Sequence, residues 1–196
     1  MTRKRLERLP HWAVPAMQGL TFWIGHRRAL YNGYLLTEGA LVAEACNLIY
    51  ANLGDCETLL CEQLYRTLVD GWTLGQGCRA DLVVRADSRE AAGDGIVASI
   101  IEVKRGSSSP SVINEDLKRL AATKDINPHV RAFLILVSES RRPKRFVDKR
   151  GKGIRGEIQF GDNNFYCQVR RACKAALSFE RKDSAHYACI VEVFKR

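Results

Sequence analysis

Apolar residues between positions 55 and 194 follow two alternating patterns, short runs of strand length and longer stretches with helical spacing. A strand that is buried on both faces of a sheet is nearly continuous in Val, Ile and Leu. Runs of this kind lie within residues 82–84, 100–103, 131–138 and 187–194. The run at 131–138 is predicted to be a central parallel strand. The alternation predicts a single domain of the α/β class.

Three stretches have the apolar spacing of amphipathic helices. The first is residues 57–69, which Asp55 precedes as an N-cap. The second is predicted to open at Asn114, so that Asp116 falls in its first turn, where a negative charge suits the helix dipole. The third lies near 165–177. The buried stripe of the second helix is predicted to contain Ile113, Leu117, Leu120 and Ala121.

Three charged residues, Asp81, Glu102 and Lys104, interrupt the apolar strands. Side chains alternate along a strand, so Glu102 and Lys104 point to one face, and Asp81 on a neighbouring strand would join them. Two carboxylates that lie close together favour a hard divalent cation, of which Mg²⁺ is the natural choice. A water-bearing Mg²⁺ beside a lysine predicts hydrolysis of phosphodiester bonds.

These residues resemble the motif of the PD-(D/E)XK, or restriction-endonuclease-like, nuclease superfamily. Asp81 matches its first acidic residue, and Glu102-Val103-Lys104 matches its Glu-x-Lys. Ala80 stands where the family has proline, which removes no functional group. The resemblance implies an αβββαβ core with a central mixed sheet flanked by helices. It also implies that Asp81, Glu102 and the backbone carbonyl of Val103 bind Mg²⁺, while Lys104 lies near the attacking water.

Many members of that family use a further glutamate from the helix before the first strand. Glu62 is preferred here as a catalytic residue, because it lies on the helix predicted just before Asp81. Glu38 is the alternative, although a glutamate in the first helical turn after Thr37 is explained by capping and the helix dipole. A plainer interpretation of the whole motif also stands. Glu102 and Lys104 would then be an exposed ion pair, with Asp81 at a turn.

Charge is unevenly distributed along the chain. The 196 residues carry 31 basic and 22 acidic side chains, a net charge of +9. Much of the excess falls in residues 139–156, called here the basic segment, which is predicted to bind the DNA backbone unless it is a solvated loop. Residues 1–35 form a basic and aromatic N-terminal extension of the single domain, with His11, Trp12, Phe22 and Trp23 as possible stacking surfaces. The predicted DNA contacts are Arg141, Arg142, Lys144, Arg145, Lys149, Arg150, Lys152 and Arg155.

Seven cysteines occur without a Cys-x-x-Cys pair or a histidine in a zinc-like register. Cys46, Cys61 and Cys189 lie in apolar patterns and are predicted to act as small hydrophobic residues. An odd number of cysteines and no secretory signal predict free thiols and a cytoplasmic location. No apolar run is long enough to span a membrane.

The sequence therefore predicts a Mg²⁺-dependent endodeoxyribonuclease of the type II restriction class. A DNA repair or junction-resolving nuclease is the alternative within the enzymes, and a DNA-binding subunit that keeps the fold without cutting is the alternative outside them. Cutting both strands of a duplex needs two sites or two events. Since the chain carries one motif, a homodimer is expected.

Overall fold

The computed structural model describes residues 7–31, 34–87, 95–160, 165–175 and 184–195. Within these residues the chain forms four helices and seven strands. In chain order they are α1 (Ala13–Tyr31), α2 (Glu38–Tyr50), β1 (Glu57–Leu64), α3 (Tyr65–Leu68), β2 (Arg79–Ala86), β3 (Ile96–Arg105), α4 (Pro110–Ile126), β4 (Arg131–Ser138), β5 (Ile158–Gln159), β6 (Phe165–Lys174) and β7 (Tyr187–Lys195).

The strands form one mixed sheet in the order β1-β2-β3-β4-β7-β6-β5. Only β3 and β4 are parallel among the paired strands described, and α4 is the crossover that their parallel direction requires. From α2 to β4 the chain runs helix, three antiparallel strands, helix, strand, with the four-residue α3 between β1 and β2. The predicted α/β class and the central position of β4 are confirmed.

Helices cover both faces of the sheet. On one face α4 packs against β3, β4 and β7, and its predicted stripe is buried. On the other face α1 and α2 pack over Leu82, Ile101, Phe133 and Ile190, together with their neighbours on the same strands. The central strands are thus buried from both sides, which explains their nearly continuous apolar sequences. No helix in the described part of the chain is both long enough and apolar enough to cross a bilayer.

The prediction of a helix at 57–69 is wrong. Residues 57–64 form β1, whose pairing with β2 runs from Glu57 opposite Ala86 to Leu64 opposite Arg79. Only α3 is helical, and Asp55 lies in a turn rather than at an N-cap. Apolar residues of an edge strand are only partly buried, so the alternation of apolar and polar positions along it is less regular. The apolar spacing of residues 57–64 also suits a helix, and pairing with β2 makes this segment a strand instead.

The prediction of a helix near 165–177 is also wrong. Residues 165–174 form β6, paired antiparallel with β7, and residues 176–177 lie outside the described part. Phe165, Cys167 and Val169 are buried while the residues between them are partly exposed. This alternation has the period of a strand, and it was visible in the sequence.

The N-terminal extension contributes to the domain core. Trp12, at 0% exposure, meets Phe133 edge to face at a centroid distance of 6.0 Å. Trp12 is therefore not available for stacking on a ligand, whereas Phe22 is 76% exposed. The N-terminal arginines and lysine at 3–5 lie outside the described residues. The sequence also predicts turns at Gly93-Asp94-Gly95 and at 162–164, and of these only Gly95 belongs to the described part.

Helix α4 begins earlier than predicted. Ser109 is its N-cap, its hydroxyl accepting a hydrogen bond from Val112 N at 3.4 Å, and Pro110 occupies the first turn. Starting at Pro110 rather than Asn114 moves Asp116 out of the first turn. Asp116 instead faces the sheet, with 1% exposure.

Candidate active site

The pairing between β2 and β3 ends at Leu82 and Ile101, and the next residues on these strands are Asp81 and Glu102. Beyond this point the side chain of Asp81 takes the place of a paired strand residue as the hydrogen-bond acceptor for β3. Its Oδ2 accepts from the backbone N–H of Val103 at 2.7 Å. Burial raises the pKa of Asp81, although this hydrogen bond and the charge of Lys104 oppose the increase. The end of the ladder thus places a half-buried carboxyl beside Glu102.

Glu102 is almost fully enclosed, at 2% exposure. Its Oε1 accepts hydrogen bonds from the hydroxyl of Tyr65 at 2.6 Å and from Nε of Arg119 at 3.3 Å. Burial and then the charge of Asp81 raise the pKa of Glu102 to about 8, against the opposing effects of Tyr65 and Arg119. Without a cation this carboxyl is therefore mostly protonated at neutral pH.

Lys104 lies between two acidic groups from opposite faces of the domain. Its Nζ donates to Oε1 of Glu38 on α2 at 2.7 Å and lies 3.3 Å from Oδ2 of Asp116 on α4. Burial lowers the pKa of Lys104, but Glu38 and Asp116 outweigh that effect and the net change is upward. Lys104 is therefore an ammonium ion in this arrangement, suited to holding negative charge rather than to accepting a proton.

Tyr65, Asp116 and Arg119 are site residues that the sequence analysis missed. Arg119 pairs with Asp116 one turn before it on α4 and also reaches Glu102 on β3. Asp116 was detectable, because it falls on the buried stripe between Ile113 and Leu117, where a lone charge needs a partner. Tyr65 and Arg119 carried no comparable signal, since tertiary packing alone brings them to Glu102.

Glu62 lies on β1 and not on a helix, so the basis on which it was preferred is wrong. It stands between the residue pairs Cys61 with Leu82 and Gln63 with Ala80, which puts it opposite Asp81. Its φ of 54° lies in the left-handed region, which is uncommon for a residue other than glycine. A kinked edge strand thus turns Glu62 toward Asp81.

Glu62 and Glu38 share one open pocket with Asp81. The pocket has a volume of about 500 Å³ and lies between α2 and the strands β1 and β2. Both glutamates raise the pKa of Asp81 by charge repulsion, as smaller contributions beside burial. The structure therefore brings both alternatives close to Asp81 rather than choosing between them. The pocket is lined by Glu38, Gly39, Val42, Ala43, Cys46, Asn47, Cys61, Glu62 and Asp81.

The donor set can be tested against a hard cation. In the described part of the chain, no group of three or more His, Cys, Asp or Glu side chains is arranged to hold a metal. Mg²⁺ needs fewer, since it is usually bound by one or two carboxylates and keeps several waters. The hydrogen bonds described use Oδ2 of Asp81 and Oε1 of Glu102, which leaves the second oxygen of each for a cation. The residues therefore fit Mg²⁺, while ligation by the Val103 carbonyl stays a prediction.

The basic segment is anchored by its own residues. Phe146 and Val147 are buried in the core, and Val147 pairs with Gly153 as an isolated bridge. Arg142 and Arg145 are half-buried, with hydrogen bonds to Val147 O at 2.8 Å and to Oδ1 of Asn114 at 2.6 Å. The other six predicted DNA contacts are exposed, namely Arg141, Lys144, Lys149, Arg150, Lys152 and Arg155.

The basic segment and the acidic site lie at the same end of the sheet. β3 and β4 are parallel, so Lys104 near the end of β3 and residue 139 after β4 share an edge. Glu139 connects this edge to the segment before α2. It accepts a hydrogen bond from Leu36 N at 3.3 Å and lies 3.6 Å from Nη2 of Arg105 on β3. The start of the basic segment therefore lies at the edge of the sheet that carries the carboxyl cluster, while Gly153 further along lies against Val169 of β6.

No protein-family model matches the chain, and comparisons with curated proteins and with solved structures likewise find no match. The function of the chain is therefore inferred from the geometry of the site.

Proposed function

We propose that the chain is a Mg²⁺-dependent endodeoxyribonuclease with a restriction-endonuclease-like core. The observation that carries the proposal is the convergence of Asp81, Glu102 and Lys104 where the pairing of β2 with β3 ends. The order of elements from α2 to β4 supports the same core. Asp81 and Glu102 would hold the cation, with Glu62 or Glu38 completing its surroundings.

In this proposal the chain's own residues do three things. Tyr65 and Arg119 hold Oε1 of Glu102 in place by hydrogen bonds, which also fixes the orientation of the other carboxyl oxygen, Oε2. Lys104, which Glu38 and Asp116 keep protonated, stabilises negative charge on a phosphate or orients the attacking water. When bound, Mg²⁺ neutralises phosphate charge and lowers the pKa of a water. Because burial raises its pKa, Glu102 would have to lose its proton to solvent in order to hold the cation.

The DNA duplex would lie along the exposed part of the basic segment. The segment starts at the edge that holds the site, and its six exposed Lys and Arg side chains could neutralise several phosphates through counterion release. The contacts are made to the backbone, so this surface supplies affinity without sequence preference. A restriction enzyme, the favoured role, would need further contacts to base edges and a second copy of the site in a homodimer. A repair or junction-resolving nuclease would recognise DNA shape instead.

A DNA-binding subunit that does not cut is the second candidate. The observation that favours it is that Glu38 and Asp116 already hold Lys104 in the arrangement seen here. Such a subunit would bind DNA through the basic segment but would not hydrolyse its phosphodiester bonds.

The test is cleavage of supercoiled plasmid and phage DNA with Mg²⁺ or with EDTA. Asp81→Asn and Glu102→Gln remove charge at the site with little change of shape. Asp125→Asn makes the same change in an exposed pair with Lys195, away from the site, and serves as the control. We expect cleavage that EDTA abolishes, that both site variants lose and that Asp125→Asn keeps. Salt-sensitive DNA binding without cleavage by the native protein would favour the second candidate.

A further inference from the structure

Two thiols lie in contact on the wall of the same pocket. Sγ of Cys46, on α2, is 3.3 Å from Sγ of Cys61, on β1. Both residues line the pocket that holds Glu62 and Asp81. Cys61 is exposed, contrary to its predicted role as a small hydrophobic core residue, and Cys46 is half-buried. The pair can therefore be reached by a small molecule from solvent.

The geometry is close to that of a disulfide. A bond between the sulfurs requires about 2.05 Å, so they must approach by roughly 1.2 Å. Cys46 is partly buried on α2, and Cys61 belongs to an edge strand that is already kinked at Glu62. An edge strand with a free side can make such a shift more easily than the central strands that are packed on both faces.

None of the other five cysteines has a described sulfur–sulfur contact of this kind, although burial and, second, the nearby half-buried Cys173 raise the pKa of Cys189. Cys167 and Cys189 are buried. Cys56 is exposed on the turn before β1 and is close to Cys61 in sequence, but no described contact joins it to another thiol. Cys56 is thus an internal comparison, an accessible thiol without a neighbouring sulfur.

We propose that Cys46 and Cys61 form an oxidisable dithiol site whose substrate is a small disulfide such as oxidised glutathione. The thiolate of Cys61 attacks one sulfur of the oxidant, breaks its S–S bond and releases one thiol. Cys46 then attacks the mixed disulfide at Cys61 and releases the second thiol. The two cysteines lose two electrons and two protons, and both pass to the two thiols formed. The product links α2 to β1 across the pocket and does not depend on the proposed nuclease activity.

The reaction should be slow at neutral pH. Although the residue is exposed, partial burial of its thiol, followed by the neighbouring Cys46 and the charge of Glu62, raises the pKa of Cys61 to about 11. The thiolate is the attacking form, so the experiment is run at pH 8.5 with excess oxidised glutathione.

The cross-link is identified by peptide mapping. No Lys or Arg occurs between Arg28 and Arg66, so one tryptic peptide holds Cys46, Cys56 and Cys61. A protease that cuts after Asp and Glu separates the three, by cleavage after Asp55 and Glu57. We expect a reducible link between residues 45–55 and 58–62, which persists in Cys56→Ser and disappears in Cys46→Ser and Cys61→Ser.

Thermal unfolding gives a second measurement. The new bond closes a loop of about 15 residues, which restricts the unfolded chain and should raise Tm by about 5 °C or more. Reduction should reverse the increase, and Cys46→Ser should not show it. A stable glutathione adduct at Cys61 without the cross-link, a link through Cys56, or no oxidation under these conditions would each overturn the proposal.

Discussion

Replacing Glu102 by glutamine should remove much of the pH dependence of stability in the metal-free protein. Burial and the charge of Asp81 raise the pKa of Glu102 from 4.5 to about 8. Between these values the unfolded chain has lost the proton that the folded chain keeps. The folded state therefore binds more protons, and the free energy of unfolding falls as pH rises through this window.

The magnitude follows from the two pKa values. Each pKa unit corresponds to 1.36 kcal/mol, so the whole change amounts to about 5 kcal/mol, of which about 3 kcal/mol falls between pH 5.5 and 8.5. Asp81 and Asp116 also have raised pKa values, caused first by burial, and add to the same trend. Comparison with Glu102→Gln isolates the part that belongs to Glu102, because glutamine does not titrate.

Urea unfolding in EDTA at pH 5.5 and 8.5 measures the effect. The native protein should lose about 3 kcal/mol more than Glu102→Gln over this interval. Asp125→Asn, in an exposed pair with Lys195, should behave like the native protein. Mg²⁺ should restore stability at pH 8.5 in the native protein and much less in Glu102→Gln. Equal pH dependence in the native protein and in the Glu102→Gln variant would show that Glu102 is not held protonated by its surroundings.

Three further changes test the surroundings of the site. Glu62→Asn should raise the free energy of unfolding in urea by about 0.5 kcal/mol, because asparagine tolerates the left-handed φ of 54° better than glutamate does. The same substitution should slow cleavage, and a loss of stability would contradict this account. Arg119→Ala should cost about 2 kcal/mol in the same assay, since it leaves buried carboxyls without their partner, and an unchanged midpoint would contradict it. Replacing Lys149, Arg150 and Lys152 together by alanine should weaken the salt dependence of DNA binding. In a plot of the logarithm of the binding constant against the logarithm of the salt concentration, the negative slope should become shallower by about 3. An unchanged slope would show that the DNA binds elsewhere.

The parts of the fold that the sequence predicted correctly are those buried from both sides. β2, β3, β4 and β7 are packed on both faces, and their apolar runs have no other good explanation. β1 at the edge is only partly buried, so its apolar residues fit a helix as well as a strand, and pairing with β2, which local sequence does not contain, makes the choice. β6 is different, because its alternation of buried and partly exposed residues has the period of a strand and was visible in the sequence.

The N-terminal helix is a different case, because no element was predicted from the sequence at residues 13–31. Ala13, Ala16, Met17, Leu20 and Ile24 have the spacing of one buried helical face, so the sequence did contain the signal for α1. The charged and aromatic residues of the same segment predicted an N-terminal extension of the domain without indicating its helix. Here periodicity was the better guide, because the buried face belongs to the core over β6 and β7.

The residues of the candidate site likewise fall into those that could be predicted from the sequence and those that could not. Asp81, Glu102 and Lys104 were predictable because each breaks an apolar run, and a charge in a buried strand demands a reason. Tyr65 and Arg119 were not, because each is ordinary in its own segment. The sequence therefore indicates where charge is buried, while the contacts that hold Glu102 in place come from Tyr65 on α3 and Arg119 on α4, which tertiary packing brings to β3.

The charge balance of the site links its chemistry to the basic surface beside it. Five carboxyls interact there with Lys104 and Arg119 as the cations, so the cluster is acidic within a chain whose net charge is +9. A phosphate would be repelled by such a cluster, since like charges in a poorly solvated site interact strongly. In the proposed nuclease a divalent cation would reverse the local sign, so that the acidic site could receive a phosphodiester while the exposed basic segment bound the DNA backbone. The proposal therefore predicts that in EDTA the protein still binds DNA through the basic segment but no longer cleaves it. The five carboxyls are Glu38, Glu62, Asp81, Glu102 and Asp116.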